Sequence, residues 1–201
     1  SLPSGSSDKT FLAIETIKSR SFFKYLMDKY NLLPEILAVD YYDKNTNKIV
    51  FKETIYNYEL KKWTLDKGVP PYLEAHKFFL SSILEIQRSK ETGFISISIF
   101  HESPVFAQSF LSLILLEVNN LAKANDIEEA KKGLSYLNIE LKKTSVSEIK
   151  NSINALIETL LKNQMTASIK EEYLLKAIDP AYFPHEKFKP FRALICVLGT
   201  F

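Results

Sequence analysis

The chain has 201 residues, with 46% hydrophobic and 25% charged side chains, the balance of an ordinary folded domain. A formal net charge of +2 with acids and bases interspersed excludes a basic face built for nucleic acid. A lone cysteine, Cys196, excludes an intrachain disulfide, and five scattered glycines exclude a glycine-rich phosphate loop.

In chain order, Ser1–Ser7 has a loop composition without the charged start and apolar centre of a signal peptide. Ser7 is placed to cap a helix over Asp8–Ser19, with Phe11, Leu12, Ile14 and Ile17 as its apolar face. Phe22–Tyr30 reads as a second short helix ending near Asn31 and Pro34. Ala38–Tyr42 and Lys48–Phe51 are β-prone runs around a turn-rich Asp43–Lys48, the pattern of a hairpin. Tyr56–Pro71, with Trp63, has no clean period and reads as a surface loop; Tyr72–Arg88 recovers helical spacing. Phe94–Phe100 alternates Ile95, Ile97 and Ile99 with Ser96 and Ser98, a strand with one packed face. Glu171–Ile178 is a second candidate strand, expected to pair with it in one small mixed sheet.

Between those two strands lies a long helical insertion. Ser103 and Pro104 form a helix start, cap followed by proline, and no further proline occurs until Pro180. Val105–Val118 is apolar almost all round, and at 14 residues it is too short to span a bilayer, which suits a buried core helix. Beyond Asn119 the pattern narrows to a stripe through Ile127, Ala130, Leu134, Leu137 and Leu141. Ser145 to Glu148 matches a capping box, and a second stripe follows at Val146, Ile149, Ile153, Leu156 and Leu160. Two such stripes around a short turn describe an antiparallel helical hairpin. A helix from Pro104 to Lys142 is ~58 Å long at 1.5 Å per residue, so the hairpin is expected to project. Its flanks at Leu121, Tyr136, Ile157 and Leu161 are expected to seek neighbouring copies, which predicts a homo-oligomer.

The last residues, Ala193-Leu-Ile-Cys-Val-Leu-Gly-Thr-Phe201, form an apolar run behind a connector carrying Pro180, Pro184 and Pro190 with Lys187, Lys189 and Arg192. Nine residues are fewer than the ~20 a spanning helix needs. The run reads as the first part of a membrane helix; a C-terminal strand tucked into the core is the competing reading.

Chemistry-bearing motifs are weak. Ser6 to Lys9 matches S-x-x-K without its companion segments, and the Asp43–Asn47 run starts like a calcium loop, but Lys48 replaces the required glycine. His76, His101 and His185 lie far apart, with no partner at metal-ligand spacing. The expectation is a protein without catalytic residues, cofactor or metal.

Certain stretches carry a likeness. Thr92-Gly93-Phe94 leads the strand, and His101-Glu-Ser-Pro104-Val-Phe-Ala-Gln108 and Asn119-Asn120 follow. Further on come Asp126-Ile-Glu-Glu-Ala130, Ser135-Tyr-Leu137-Asn with Leu141 and Thr144, and Leu156-Ile-Glu158. The C-terminal part is Tyr173, Ala177-Ile-Asp-Pro-Ala181, Pro184, Pro190-Phe-Arg192-Ala-Leu-Ile195 and Leu198-Gly199. In this order and spacing, over residues 5 to 201, the chain resembles the periplasmic domain of the Wzz-type chain-length determinants, the polysaccharide co-polymerases of O-antigen synthesis. Lys189 departs from it, standing where Ser is common.

The resemblance implies an α+β fold: a small sheet with packed helices as a membrane-proximal base (residues 1–102 and 168–186), with 103–167 as the helical extension and 187–201 entering a membrane helix. Pro180, Pro184, Pro190, Arg192 and Gly199 would mark the membrane entry. It implies a non-enzymatic ring on the bacterial inner membrane, this chain facing the periplasm, that sets O-antigen chain length in lipopolysaccharide biosynthesis. Its partners would be further copies of itself and the Wzy polymerase, with polysaccharide a candidate contact. The rival readings are a membrane-anchored coiled-coil adaptor of an envelope export complex and, behind it, a glycan-processing enzyme.

Overall fold

The computed structural model describes residues 5–182, and over these the protein is α+β. The expectations for Pro184, Pro190, Arg192, Gly199 and the terminal apolar run lie outside the described residues.

Helix α1 (Gly5–Lys18) begins ahead of Ser7, which therefore lies within it rather than capping it. Its buried face is also rotated from the expected one. Ala13 and Ile17, four residues apart, are wholly buried, whereas Phe11 and Leu12 are exposed. Helix α2 (Arg20–Tyr30) starts at Ser19, whose Oγ accepts the Phe22 amide at 3.2 Å, and stops at Asn31 in the left-handed region. It buries Phe22, Phe23, Leu26 and Met27. A short helix, α3 (Leu33–Leu37), follows.

The first hairpin forms where its turn chemistry places it. Strands β1 (Val39–Asp43) and β2 (Lys48–Phe51) are antiparallel, with Asp43 opposite Lys48. The Asp43 carboxylate accepts the Asn45 amide (2.9 Å) and the Thr46 hydroxyl (2.7 Å), so it organises the turn. The stretch read as a loop contains a small ribbon, β3 (Tyr56–Asn57) with β4 (Lys62–Trp63). Tyr56 meets Trp63 edge to face at 5.2 Å, and that aromatic pairing supplies the order that the irregular sequence conceals.

Two further expectations give way. Helix α4 (Tyr72–Phe78) passes through one π turn (Phe79–Ile83) and ends; Leu84–Arg88 is strand β5, not helix. Strand β5 pairs antiparallel with β6 (Ile95–Ile99) across a turn containing Gly93 at φ 73°. Residues 170–182 contain no strand, so Glu171–Ile178 does not pair with β6. The neighbouring segment wins because closing a six-residue turn costs far less chain entropy than closing ~70 residues. In place of one small mixed sheet, the described residues form three two-stranded antiparallel sheets.

Helix α5 (Pro104–Lys143) starts as expected: Ser103 Oγ accepts the Phe106 amide at 3.2 Å and Pro104 opens the first turn. Its 40 residues give ~60 Å. Helix α6 (Ser147–Ile169) follows after an extended Thr144–Val146, and its cap position is Val146, without a side-chain cap. The capping box at Ser145 and Glu148 therefore does not form, because the chain turns into helix two residues after Ser145. The core gathers α1 to α4, β5 and the first half of α5, where Phe110, Ile114 and Val118 are buried. Along α5 it ends at Leu121.

Candidate assembly surface

Beyond Leu121, α5 has α6 as its chief neighbour. Their relative direction follows from three matched positions. Asn119 bonds to Leu174, Lys123 Nζ donates to the Lys170 carbonyl at 3.2 Å, and a Cβ on Gly133 would meet Leu160 Cδ1 at 2.8 Å. Residue numbers rise on one side as they fall on the other, so the second segment runs back along the first. The more buried positions repeat at three and four: Ile127, Ala130, Leu134, Leu137 and Leu141 on α5, and Ile153, Ile157, Leu160, Gln164 and Ala167 on α6. Of the stripes read from sequence, all five α5 members and Ile153 and Leu160 are at least half-buried. Ile149 and Leu156 are about half exposed, and Leu121 packs onto the core.

Polar side chains fix α5 to the rest of the fold. Glu117 is 2% exposed in an apolar stretch of α5. Its carboxylate accepts the hydroxyls of Tyr25 (2.5 Å) and Tyr30 (2.7 Å) and the Lys29 ammonium (3.0 Å), all from α2. Burial pushes its pKa up, but the three donors outweigh that and hold the carboxyl below its usual range. Two residues on, Asn119 accepts the Leu174 and Leu175 amides (2.7 and 2.8 Å) and donates to the Leu175 carbonyl at 2.9 Å. Gln108 donates to the Ala181 carbonyl at 2.6 Å, and Tyr173 donates to Asp126 at 2.5 Å. Residues 170–182, which have no strand or helix of their own beyond the end of α6, are thus strapped along α5 by side chains. Of the residues expected at the membrane entry, Pro180 alone is described; it is exposed, one residue before Ala181 of this strap.

The remaining feature is apolar surface left uncovered. On α6, Leu161, Met165 and Ile169 are 44%, 63% and 76% exposed, and with half-buried Ile157 they form a row at four-residue spacing along a shallow open groove. Val146, Ile149 and Leu156 on α6 and Tyr136 and Ile139 on α5 are further exposed apolar side chains. Glu128 and Lys132, bridged at 2.6 Å, make a polar patch elsewhere on α5.

Among the described residues no three His, Cys, Asp or Glu side chains cluster as metal ligands. The most buried carboxylate among the described residues, Glu117, is occupied by its three donors. The sequence reading missed Glu117 and its α2 partners; the signal was a lone acid inside an apolar run and the Tyr25, Lys29, Tyr30 spacing on one face of α2. By length and composition α5 is apolar enough to cross a membrane. No protein-family model matches the chain, and no characterised protein matches it significantly.

Proposed function

We propose that this protein is a non-enzymatic, self-assembling regulator of polysaccharide chain length, acting on the inner membrane with its described part in the periplasm. In this reading α5 and α6 form an antiparallel hairpin that projects from a base made of the remaining elements. Copies pack side by side through the hairpin flanks and present a repeated surface to a polymerase and its growing glycan. The membrane attachment is the apolar run at 193–201, in line with the likeness to the Wzz-type determinants.

The observation that carries the reading is the exposed row Leu161, Met165 and Ile169 on a helix pair whose longer member is ~60 Å. Covering each such side chain fully is worth about 1.5–3 kcal/mol, so contact along the row favours assembly. The α5–α6 pairing, the end of the core at Leu121 and the strap leading toward residue 183 all support the arrangement.

The test uses full-length protein in a strain lacking its own chain-length regulator. The wild type is expected to restore a modal polymer length and to run as an oligomer in mild detergent. Leu161→Glu with Met165→Glu should lower the oligomer mass and shift or broaden the length distribution. Disrupted assembly with an unchanged distribution would refute the regulator reading, leaving a protein-binding adaptor.

A further inference from the structure

His101 sits in the three-residue link between β6 and the Ser103 cap of α5. Both ring nitrogens are engaged in roles that fix its state. A backbone amide can only donate, so the Ser103 N–H at 3.0 Å makes Nδ1 an acceptor. Nε2 then carries the proton and donates to the Glu35 carbonyl in α3 at 2.8 Å. The ring lies against Phe106 in the first turn of α5, with centroids 4.4 Å apart. One imidazole thus joins three pieces: α3, the Ser103 cap and the first turn of α5. Ser103 is itself 2% exposed, and its Oγ and carbonyl hold the amides of Phe106 and Ala107.

From this geometry we propose that His101 is a proton-operated latch at the root of α5: the neutral ring closes it, and protonation at Nδ1 opens it. A proton on Nδ1 would aim an N–H at the Ser103 N–H, two donors with no acceptor between them. The ring must leave, and with it go the tie to Glu35 and the orientation of the cap.

The charged groups around the ring set the sign. Burial, the foremost influence, lowers the His101 pKa, and the Glu35 and Ser103 backbone contacts and the neighbouring Glu102 carboxylate only partly oppose it. From α3, the Glu35 carboxyl is raised by burial, and its Oε2 finds no partner among the described residues. Tyr56 of β3 lies within electrostatic reach of that carboxyl and is itself raised by burial. With a folded pKa below the unfolded value of ~6.5, the imidazole binds protons more readily in the open form. The latch is therefore fully closed above that pH and loses stability as pH falls below it. Glu35 works the opposite way, since taking up a proton relieves its burial.

Amide exchange in the full chain tests this at pH 7.5 and 5.5, with intrinsic rates corrected. Protection of Ser103, Phe106 and Ala107 should fall by up to about tenfold at the lower pH. His101→Asn places an uncharged carbonyl oxygen near the Nδ1 position, so its protection should not change with pH; Glu35→Gln should leave the wild-type fall in place. Equal protection at both pH values in the wild type, or the same fall in His101→Asn, would overturn the proposal. So would ring nitrogen shifts at pH 7.5 showing the proton on Nδ1, a measurement on the wild type alone.

Discussion

Asn119→Ala is the sharpest probe of how residues 170–182 are held. The wild-type side chain is 5% exposed and makes three hydrogen bonds to the Leu174 and Leu175 backbone. These close a segment that has no ladder of its own. A typical intramolecular hydrogen bond contributes about 1 kcal/mol net, so the loss should be near 3 kcal/mol. For a chain of this size that is a fall of about 6–12 °C in melting temperature. Urea denaturation gives the global figure, and amide exchange at Leu174 and Leu175 gives the local one; both amides should lose protection. Lys123→Ala, which removes one exposed contact to the Lys170 carbonyl, serves as the control and should stay within ~0.5 kcal/mol. Should Asn119→Ala match that control and leave the two amides protected, the strap is held by something other than its side-chain bonds, and the account of residues 170–182 fails.

Glu117→Ala leaves the Tyr25 and Tyr30 hydroxyls without their shared acceptor and should cost about 3 kcal/mol in urea unfolding, hydrogen bonds to charged groups being the stronger kind. Because the folded pKa of Glu117 lies below its unfolded value, its contribution is present above about pH 4.5 and lost as pH falls; Glu117→Gln should remove that acid sensitivity. Gly133→Leu should push α6 away from α5 at Leu160 and cost about 1–3 kcal/mol, and adding Leu160→Ala should restore much of it in a double-mutant cycle. Tyr173, raised to about 12 by burial and its bond to Asp126, should appear as a late-titrating phenol by ultraviolet absorbance. Its stabilising effect is complete below pH ~10 and fades as pH rises through 12, and Tyr173→Phe should abolish both signals.

The legible parts of this fold are those whose causes are local. Ser103 and Pro104 announce α5, the Asp43–Asn47 turn announces the first hairpin, and both form where expected. The 72–88 segment reads as one helix because Ala75, Phe79 and Ile83 keep helical spacing, and nothing nearby shows that β6 claims Leu84–Arg88 as its partner. The absence of strand at 171–178 is equally invisible, since the Leu174 and Leu175 backbone groups are satisfied by Asn119, some 55 residues away in sequence. At the candidate surface, heptad spacing located the α5 stripe and, on α6, Ile153 and Leu160 but not the rest of the inward row. Ile149 and Leu156 fit the same arithmetic as the half-buried Ile157 and Gln164, and only the packing of α5 decides which row turns inward.

The first half of α5 poses a choice that composition leaves open: apolar enough for a bilayer, it also contributes Phe110, Ile114 and Val118 to the core. The polar residues decide it. A carboxylate at the centre of a membrane helix costs about 2.5–3.5 kcal/mol even on the gentler scales. Glu117 finds three donors on α2 instead, and Asn119 two residues further along bonds to three backbone groups. Phe110, Ile114 and Val118 lie on the Glu117 side of α5 and are buried in the core that α2 shares. Crossing a bilayer would forfeit every one of these contacts for an apolar environment the core already provides. The arrangement that satisfies both sets of groups is α5 folded onto α2, which leaves membrane attachment, in the proposed function, to the run at 193–201.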